Sequence, residues 1–411
     1  MQAPIDTARL WHRLMRLAEI GALPGGGVDR QALTPGEAEA WRLVLSWAAQ
    51  GGLLPSVDPV GNLFLTLPGR DRSLPPVLAG SHLDTQPTGG KFDGAFGTLA
   101  ALEAVLALAA TGLVPACDVM VVAWMNEEGS RFAPSIMGSA TFAGNRTLAE
   151  TRAVRDAAGI TVGEALDARL CEFPDLPRRA LGFTPGAYLE PHIEQGPALE
   201  RLGIPIGVVT GIQGKTTWEI VLTGAEGHAG TLPMAERRDA LAAFAAMAHA
   251  MHTEVGGADP LVKFTVGRVE IAPNAPSVVP SRVAFRIDLR HPDNVTLDAL
   301  GVQLESLAHD HAGPCGLAIT RMSHAASNAF DPALRSLIQA AATARGHATL
   351  PILSAAGHDA RYLAPLCPAS MIFIPCRDGV SHAEHEWSEP RHVAAGAEVL
   401  ADVVWTLAAP T

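Results

Sequence analysis

The sequence predicts an α/β fold whose main domain is discontinuous and carries a mixed, mostly parallel sheet with helices on both faces. In the first half of the chain, short apolar runs alternate with helical patterns, which is typical of such a sheet. From about Lys215, apolar and polar residues alternate with period two, which indicates antiparallel strands in an inserted α+β domain. The 411 residues also exceed what one compact core usually holds. We therefore expect a main domain at 1–213 and 322–411 and an inserted domain at 214–321.

The elements of the main domain can be predicted in order. The runs NLFLTL and PPVLAG predict strands. The later elements are expected as a helix at Thr98 to Ala110, strands at Asp118 to Trp124 and Tyr188 to Ile193, a helix at Pro332 to Arg345, a strand at Ala369 to Ile374, and a helix over about the last twenty residues. Because ligand sites in parallel sheets lie at the carboxyl ends of the strands, chemistry is expected where polar residues follow apolar runs.

The inserted domain is predicted from two stretches of alternating residues, Trp218 to Leu222 and Val283 to Leu289. Helices are expected between and after these stretches, at roughly Asp239 to Thr253 and Leu297 to His309. Antiparallel strands with helices on one side are the usual α+β arrangement.

Composition excludes several classes of protein. Hydrophobic residues make up 48% and charged residues 18% of the chain, which indicates a large core rather than disorder. The chain has 30 Lys and Arg against 42 Asp and Glu, a net charge of −12 without a basic run, so no nucleic-acid partner is expected. The five cysteines form no C-x-x-C pair, and neither a signal peptide nor a membrane span is predicted. We predict a cytoplasmic protein without a membrane partner.

The segment GSHLDTQPTGGKFDG contains a histidine and two aspartates. His82 and Asp84 are two residues apart, so on an extended strand end both would project to the same side, as a metal-binding histidine and its carboxylate partner do. Asp93 follows a glycine-containing loop and could bridge two cations. The alternative is an Asx-turn with a helix cap, which an isolated Asp-Gly pair would favour.

Two neighbouring glutamates follow the apolar run Val119 to Trp124, in the segment WMNEEGSRF. Glu127 and Glu128 cannot share one environment, so one could bind a metal while the other acts as general base. A solvated turn is the alternative, and the position directly after a buried strand argues against it.

Two of the fifteen histidines also close apolar runs: His192 in YLEPHIEQG and His382 in DGVSHAEHE. A single histidine is more often a surface or core residue than a ligand. Together with the segments above, these positions offer three histidines and two carboxylates, the mixed donor set that a pair of zinc ions needs.

In this order, the segments resemble the dinuclear-zinc amidohydrolase and peptidase family of aminoacylases. They are most similar to its branch of N-carbamoyl-L-amino-acid hydrolases, β-ureidopropionases and allantoate amidohydrolases. The matching segments lie between about residues 80 and 385 and are GSHLDTQPTGGKFDG, NEEGSRFAP, HIEQGP, GHAGTLPM and GHDA. The resemblance implies a catalytic zinc-binding domain with an inserted dimerisation or lid domain.

The resemblance also implies roles for the residues above. The implied zinc ligands, with Asp93 as the bridge, are His82, Asp93, Glu128, His192 and His382. Glu127 would be the general base, and Asp84 would be the partner of His82.

Further implied roles concern the substrate. His228, in the glycine-rich loop TGAEGHAGTLP, would stabilise the oxyanion from across the domain cleft or the dimer. Arg290 would bind the substrate carboxylate, a task that suits a planar guanidinium. Gln195 would contact the substrate too, and His358 of GHDA is a candidate for a further contact.

The chain departs from this branch at Ser277, in PSVVP, where an Asn is usual. Either Ser277 makes the expected substrate contact with a shorter group, or Asn274 substitutes for the missing side chain.

The function implied is metal-dependent hydrolysis of the carbamoyl C–N bond of N-carbamoyl-L-amino acids or N-carbamoyl-β-alanine, which releases amino acid, CO₂ and ammonia. The implied cofactor is a pair of divalent cations, with Zn²⁺ first and Mn²⁺, Co²⁺ or Ni²⁺ as alternatives, and the implied assembly is a homodimer. Alternative substrates are allantoate and N-acyl amino acids or dipeptides. A more distant alternative is a non-catalytic binding protein on the same scaffold.

Overall fold

The structure is a computed structural model that describes residues 3–409. Numbered in chain order, the strands are β1 (Leu54–Val57), β2 (Leu63–Leu67), β3 (Val77–His82), β4 (Val119–Trp124), β5 (Ala187–Ile193), β6 (Ile206–Ile212), β7 (Gly214–Thr223), β8 (Lys263–Ala272), β9 (Arg282–His291), β10 (Gly316–Ala325), β11 (Asn328–Ala329), β12 (Thr349–Ser354) and β13 (Ala369–Ile374). The α-helices are α1 (Thr7–Leu17), α2 (Pro35–Gln50), α3 (Ala95–Ala110), α4 (Met137–Phe142), α5 (Leu148–Ala153), α6 (Val162–Glu172), α7 (Ala198–Leu202), α8 (Ala240–Glu254), α9 (Asn294–His311), α10 (Pro332–Ala344), α11 (Ala360–Leu363) and α12 (Pro390–Ala408).

The chain forms two compact units. The main unit comprises the residues up to Gly211 and those from Ala329 onward, and the inserted unit is Ile212–Asn328. The sequence pattern placed the second boundary at 321/322, which lies inside β10. This strand remains paired with β7 as far as Ala325, so the inserted unit extends further than expected.

A nine-stranded mixed sheet forms the centre of the main unit. Its order is β1-β2-β4-β3-β5-β13-β6-β11, with β12 paired to β6. The four central strands, β4, β3, β5 and β13, are parallel to one another, whereas β2 and β6 join them antiparallel. The prediction of a mixed, mostly parallel sheet is therefore confirmed.

Successive side chains of a strand point to opposite sides of the sheet. Both of the faces formed in this way are covered. On one face, α3 and α12 pack on β3 and β5, and Ala79 and Leu189 lie in the core between them. On the other face, Trp124 contacts Tyr188 and also Phe142 of α4. The predicted arrangement of helices on both faces is thus present.

The start of α3 differs from the prediction. The helix begins at Ala95, three residues before Thr98, and its N-cap residue Gly94 has a φ of 62°. A Cβ on Gly94 would lie 2.3 Å from the imidazole of His82, so only glycine allows this close approach. The N-cap residue is Gly94 rather than Asp93, and the carboxylate of Asp93 accepts hydrogen bonds from Gln195 and Ser381, which argues against the helix-cap interpretation of Asp93.

The inserted unit contains a four-stranded antiparallel sheet of order β10-β7-β9-β8. Helices α8 and α9 pack on one face, against the buried side chains Trp218, Ile220 and Leu222 of β7. The period-two pattern of the sequence therefore corresponds to one buried and one more exposed face. Among the helices between residues 3 and 409, none combines the length and apolarity needed to cross a bilayer.

Candidate metal centre

Three of the predicted ligands meet at the carboxyl edge of the parallel strands. His82 is the last residue of β3, and His192 is the penultimate residue of the neighbouring strand β5. Asp93 lies just before α3, the helix that packs on β3 and β5. His82 and His192 are each 1% exposed and Asp93 is 3% exposed, so water has almost no access to these donors.

Asp93 lies between two groups of candidate ligands. Its Oδ1 is 3.2 Å from Nε2 of His192 and 3.8 Å from Nε2 of His82. Its Oδ2 is 3.1 Å from Nε2 of His382, which in turn is 3.3 Å from Oε2 of Glu128. We call His82, Asp93 and His192 the buried cluster, and Asp93, Glu128 and His382 the rim cluster. In each, the donor atoms lie within 4.8 Å of one another.

The two neighbouring glutamates point to different clusters. Oε2 of Glu127 lies 3.6 Å from Nε2 of His82, on the side of the buried cluster. Glu128 faces His382 and also accepts a hydrogen bond from the Nε2 group of Gln86, at 2.7 Å. Both glutamates belong to a turn that follows Asn126, whose φ of 52° lies in the left-handed region.

Asp84 holds the backbone of this turn. Its two carboxylate oxygens accept hydrogen bonds from the backbone N–H groups of Glu127, at 3.2 Å, and Glu128, at 3.1 Å. The oxygen nearest Nδ1 of His82 is the carbonyl of Asp84, at 2.9 Å, whereas its carboxylate is 3.7 Å away. This differs from the sequence expectation because β3 ends at His82, so the alternation of an extended strand does not reach Asp84.

The two histidines of the buried cluster have the protonation state that suits cation binding, whereas the hydrogen bond to Asp93 raises the pKa of His382 to about 9. Burial lowers the pKa of His82 to about 4 and also lowers the pKa of His192, so both rings are neutral at pH 7, as metal ligands must be. Burial raises the pKa values of Glu127 and Glu128 well above the usual range, with nearby carboxylates adding to the effect. A bound cation would offset the cost of burying several negative charges together.

The donors also pass a test of fit for a cation. Nε2 of His192 is buried and has no hydrogen-bond partner among residues 3–409, although buried polar atoms in proteins nearly always have one. A metal ion between this nitrogen and Asp93 would satisfy it. Imidazole nitrogens and carboxylate oxygens are the donors that zinc and other divalent transition metals accept.

Several residues around Asp93 complete the site. Gln195, a predicted substrate contact, donates a hydrogen bond from Nε2 to Oδ2 of Asp93 at 2.8 Å, and Ser381 donates to the same oxygen at 2.9 Å. Oε1 of Glu386 accepts from the backbone N–H groups of Phe92 and Asp93. Sequence reasoning missed Ser381 and Glu386, although both lie within four residues of His382.

His358 lies behind the buried cluster. Its ring centroid is 4.5 Å from that of His192, and burial lowers its pKa well below the usual value. Nε2 of His358 is buried without a hydrogen-bond partner in the part of the chain that the structure describes, and Glu190, His192 and His358 form a further group of possible donors. The next residue, Asp359, accepts a hydrogen bond from Ser139, a residue that sequence reasoning did not single out.

The remaining predicted substrate contacts belong to the inserted unit, where they form two separate groups. The backbone N–H of Ala229 donates to the carbonyl of Ser277 at 3.0 Å, so the loop of His228 lies beside Ser277, near the beginning of β9. Asn274, with a φ of 56°, is exposed in the same loop as Ser277. Arg290 lies near the other end of β9.

Arg290 lies opposite Lys215 and Lys263 of the neighbouring strands, with one carboxylate beside it. Its Nε donates to Oδ1 of Asp288 at 2.8 Å, and Nζ of Lys215 is 3.0 Å from Oδ2 of the same carboxylate. Nearly the whole length of β9 therefore separates Arg290 from the group of His228 and Ser277. This length is about 30 Å at roughly 3.4 Å per residue.

A mostly parallel sheet with a shared carboxylate between two histidine-containing clusters at its carboxyl edge defines a metal-dependent hydrolase. The chain belongs to peptidase family M20/M25/M40, whose family model matches residues 78–406. The family expected from the sequence motifs is thereby confirmed.

The chain is similar to proteins of known name over nearly its whole length. It is 40% identical to an N-carbamoyl-L-amino-acid amidohydrolase of Rhizobium meliloti, covering 96% of this chain and 95% of that protein. It is 36% identical to an allantoate amidohydrolase of Escherichia coli (strain K12), covering 95% of this chain and 96% of that protein. A crystal structure of an amidase of the hydantoinase/carbamoylase family from Burkholderia multivorans matches with a TM-score of 0.90 at 40% identity, covering 99% of both chains.

Proposed function

We propose that this protein hydrolyses the carbamoyl C–N bond of N-carbamoyl-L-amino acids or N-carbamoyl-β-alanine, with one divalent cation in each cluster. The observation that carries the proposal is the position of Asp93, whose two carboxylate oxygens face one cluster each. The relatives named N-carbamoyl-L-amino-acid amidohydrolase support the choice of substrate.

Zn²⁺ is the proposed cation, because each cluster combines imidazole nitrogen with carboxylate oxygen. Mn²⁺, Co²⁺ and Ni²⁺ accept the same donors, and elemental analysis of the purified protein would distinguish them from Zn²⁺. When bound, such ions lower the pKa of water and polarise a carbonyl group.

Glu127 is the proposed general base. The residue is 7% exposed, and its carboxylate lies beside His82. The hydrogen bond from its backbone N–H to Asp84 holds the backbone that carries this side chain. Glu127 accepts a proton from the water that attacks the carbamoyl carbon and passes it to the departing nitrogen of the amino acid. The other product is carbamate, which breaks down to CO₂ and ammonia.

The two groups in the inserted unit support the proposal of a homodimer. A substrate as small as an N-carbamoyl amino acid cannot contact both ends of β9, which are about 30 Å apart. If His228 and Arg290 both contact substrate, they must therefore serve two different active sites. We propose that each active site receives its histidine from one subunit and its arginine from the other.

Mixing two inactive variants tests the dimer. His228→Ala and Arg290→Ala homodimers should each lose activity, whereas a mixture unfolded and refolded together should recover about a quarter of the wild-type rate. Half of the dimers would be mixed, and one of the two sites in each would be intact. A mixture that recovers nothing, although size analysis shows mixed dimers, would contradict the shared site.

Allantoate is the second candidate substrate, supported by the 36% identity to an allantoate amidohydrolase. The protein should be loaded with Zn²⁺, Mn²⁺ or Co²⁺ and assayed for ammonia and amine release from N-carbamoyl-L-amino acids, N-carbamoyl-β-alanine, allantoate, N-acyl amino acids and dipeptides. Release from allantoate alone would replace the proposed substrate. Cation binding without turnover of any compound would favour a binding protein. The cytoplasmic location stays a prediction.

A further inference from the structure

Arg30 is a buried cation that has no part in the proposed reaction. It is 2% exposed, and although the negative charges of Glu37 and Asp84 act on it, no carboxylate within residues 3–409 lies close enough to form an ion pair with it. Its guanidinium donates instead to backbone carbonyls: Nε to Leu83 at 2.8 Å, and Nη1 to Leu17 at 3.1 Å and Ile20 at 3.2 Å. Burying a charge without a carboxylate partner is costly, so this arrangement calls for a reason.

The contacts of Arg30 concentrate on the segment that follows the ligand His82. Besides the side-chain bond to Leu83, the backbone N–H of Arg30 donates to Oγ1 of Thr85 at 2.8 Å. The backbone N–H of Thr85 donates back to the carbonyl of Arg30 at 3.0 Å. Arg30 therefore fixes the residues on both sides of Asp84.

Asp84 transmits this restraint to the centre. Its carbonyl oxygen lies 2.9 Å from Nδ1 of His82, and its carboxylate accepts the backbone N–H groups of Glu127 and Glu128. Arg30 thus holds the two residues that are covalently joined to Asp84. From Asp84, hydrogen bonds run on to one histidine of the buried cluster, the proposed base and one carboxylate of the rim cluster.

We propose that Arg30 is a positioning residue of the cation centre, which acts by holding the Leu83–Thr85 segment and, through Asp84, the places of His82, Glu127 and Glu128. The inference rests on the proposed function, because it assigns Arg30 to the same site. Residues behind metal ligands typically contribute 10–100-fold to metal affinity or activity, and the same range is expected here.

Arg30→Met and Arg30→Lys test the inference. Arg169 provides the matched control, because it is also 2% exposed but donates to Glu37, at 3.0 Å, and to the carbonyl of Thr34 rather than to the Leu83–Thr85 segment. The charge of Glu37 acts on Arg30 as well, so the two variants are compared at the same fall in Tm. Zn²⁺ affinity is measured without substrate, by competition with a coloured chelator, together with kcat, KM and Tm for Arg30→Met, Arg30→Lys, Arg169→Met and Arg169→Lys.

Arg30→Met should lose about 10–100-fold in Zn²⁺ affinity and in kcat, with KM within about twofold of the wild type. Arg30→Lys, which keeps the charge and can reach one carbonyl, should recover part of the loss. The Arg169 variants should lower Tm without lowering affinity or kcat. If Arg30→Met does not fold, Thr85→Val, which removes the acceptor for the Arg30 N–H, should give a loss of the same kind.

Wild-type Zn²⁺ affinity and kcat in folded Arg30→Met would overturn the inference. An equal loss of affinity in Arg169→Met at the same fall in Tm would also overturn it, since the effect would then be one of general stability. Failure of the substrate panel is a separate result. A protein that binds Zn²⁺ but turns over no substrate refutes the proposed function, while the affinity comparison still decides the role of Arg30.

Discussion

The buried cluster and the rim cluster share Asp93 but differ in how the chain builds them. In the buried cluster, both histidines lie at the ends of paired parallel strands and are 1% exposed. In the rim cluster, the side chain of His382 is 50% exposed and comes from the loop after β13. Because charges interact more strongly away from water, we expect two cations of unequal affinity, with the rim cation exchanging first.

Asp93→Ala should have the largest effect, because it removes the carboxylate common to both clusters. We expect loss of both cations and activity at background, measured by elemental analysis after desalting and by ammonia release. Asp71→Ala, at an exposed aspartate, is the control and should retain both. Two cations per chain in Asp93→Ala would show that the clusters are independent.

Glu127→Gln should separate chemistry from cation binding. The change removes the proton acceptor but keeps the size of the side chain, so both cations should stay while kcat falls by about 10²–10⁴-fold. Elemental analysis and steady-state kinetics measure the two effects. A near-normal rate would mean that another group is the base.

The pair His192→Ala and His382→Ala tests the inequality of the clusters directly. Each should weaken one cation by more than the roughly 10–100-fold that is typical of residues behind the ligands. Chelator titration should remove the rim cation more easily from the wild type, and His382→Ala should abolish only that first step. Loss of both cations in a single step from every variant would contradict a two-cluster centre.

Arg72→Ala should have the smallest effect. Its ion pair with Asp118 lies at the amino end of β4, whereas both clusters lie at the carboxyl edge of the sheet, and the side chain is 59% exposed. The carboxylate of Asp118 is buried but keeps the hydrogen bond from the Gly69 N–H, so losing Arg72 should cost about 1–3 kcal/mol. Thermal unfolding should occur at a lower temperature, and cation content should not change. A loss of cations would mean that the two ends of the strand are coupled.

Local sequence patterns were enough for much of the fold. The apolar run Ala369 to Ile374 is a strand with those bounds, and the alternating residues around Trp218 and Val283 lie in β7 and β9. Helix α2 was missed, although its start is marked locally: Thr34 accepts a hydrogen bond from the N–H of Glu37, with a proline at the first helical position.

The candidate site was predictable where a donor follows an apolar run, as with His82, Glu128 and His192. It was not predictable where a residue acts through the backbone of a distant segment. Arg30 reaches the carbonyl of Leu83, and Glu386 reaches the N–H of Asp93, across 53 and 293 residues respectively. The spacing of such residues along the chain does not indicate that they contact the carbonyl or N–H group of a distant segment.

The sequence by itself determined which chemical groups are present and that most of them follow buried strands, because periodicity and residue type act over a few neighbouring positions. Only the tertiary structure decided that the two oxygens of Asp93 face different clusters, and that Nδ1 of His82 meets a carbonyl rather than a carboxylate. The physical reason is that these contacts join segments far apart in the chain, whose separation depends on how the strands and α3 pack together.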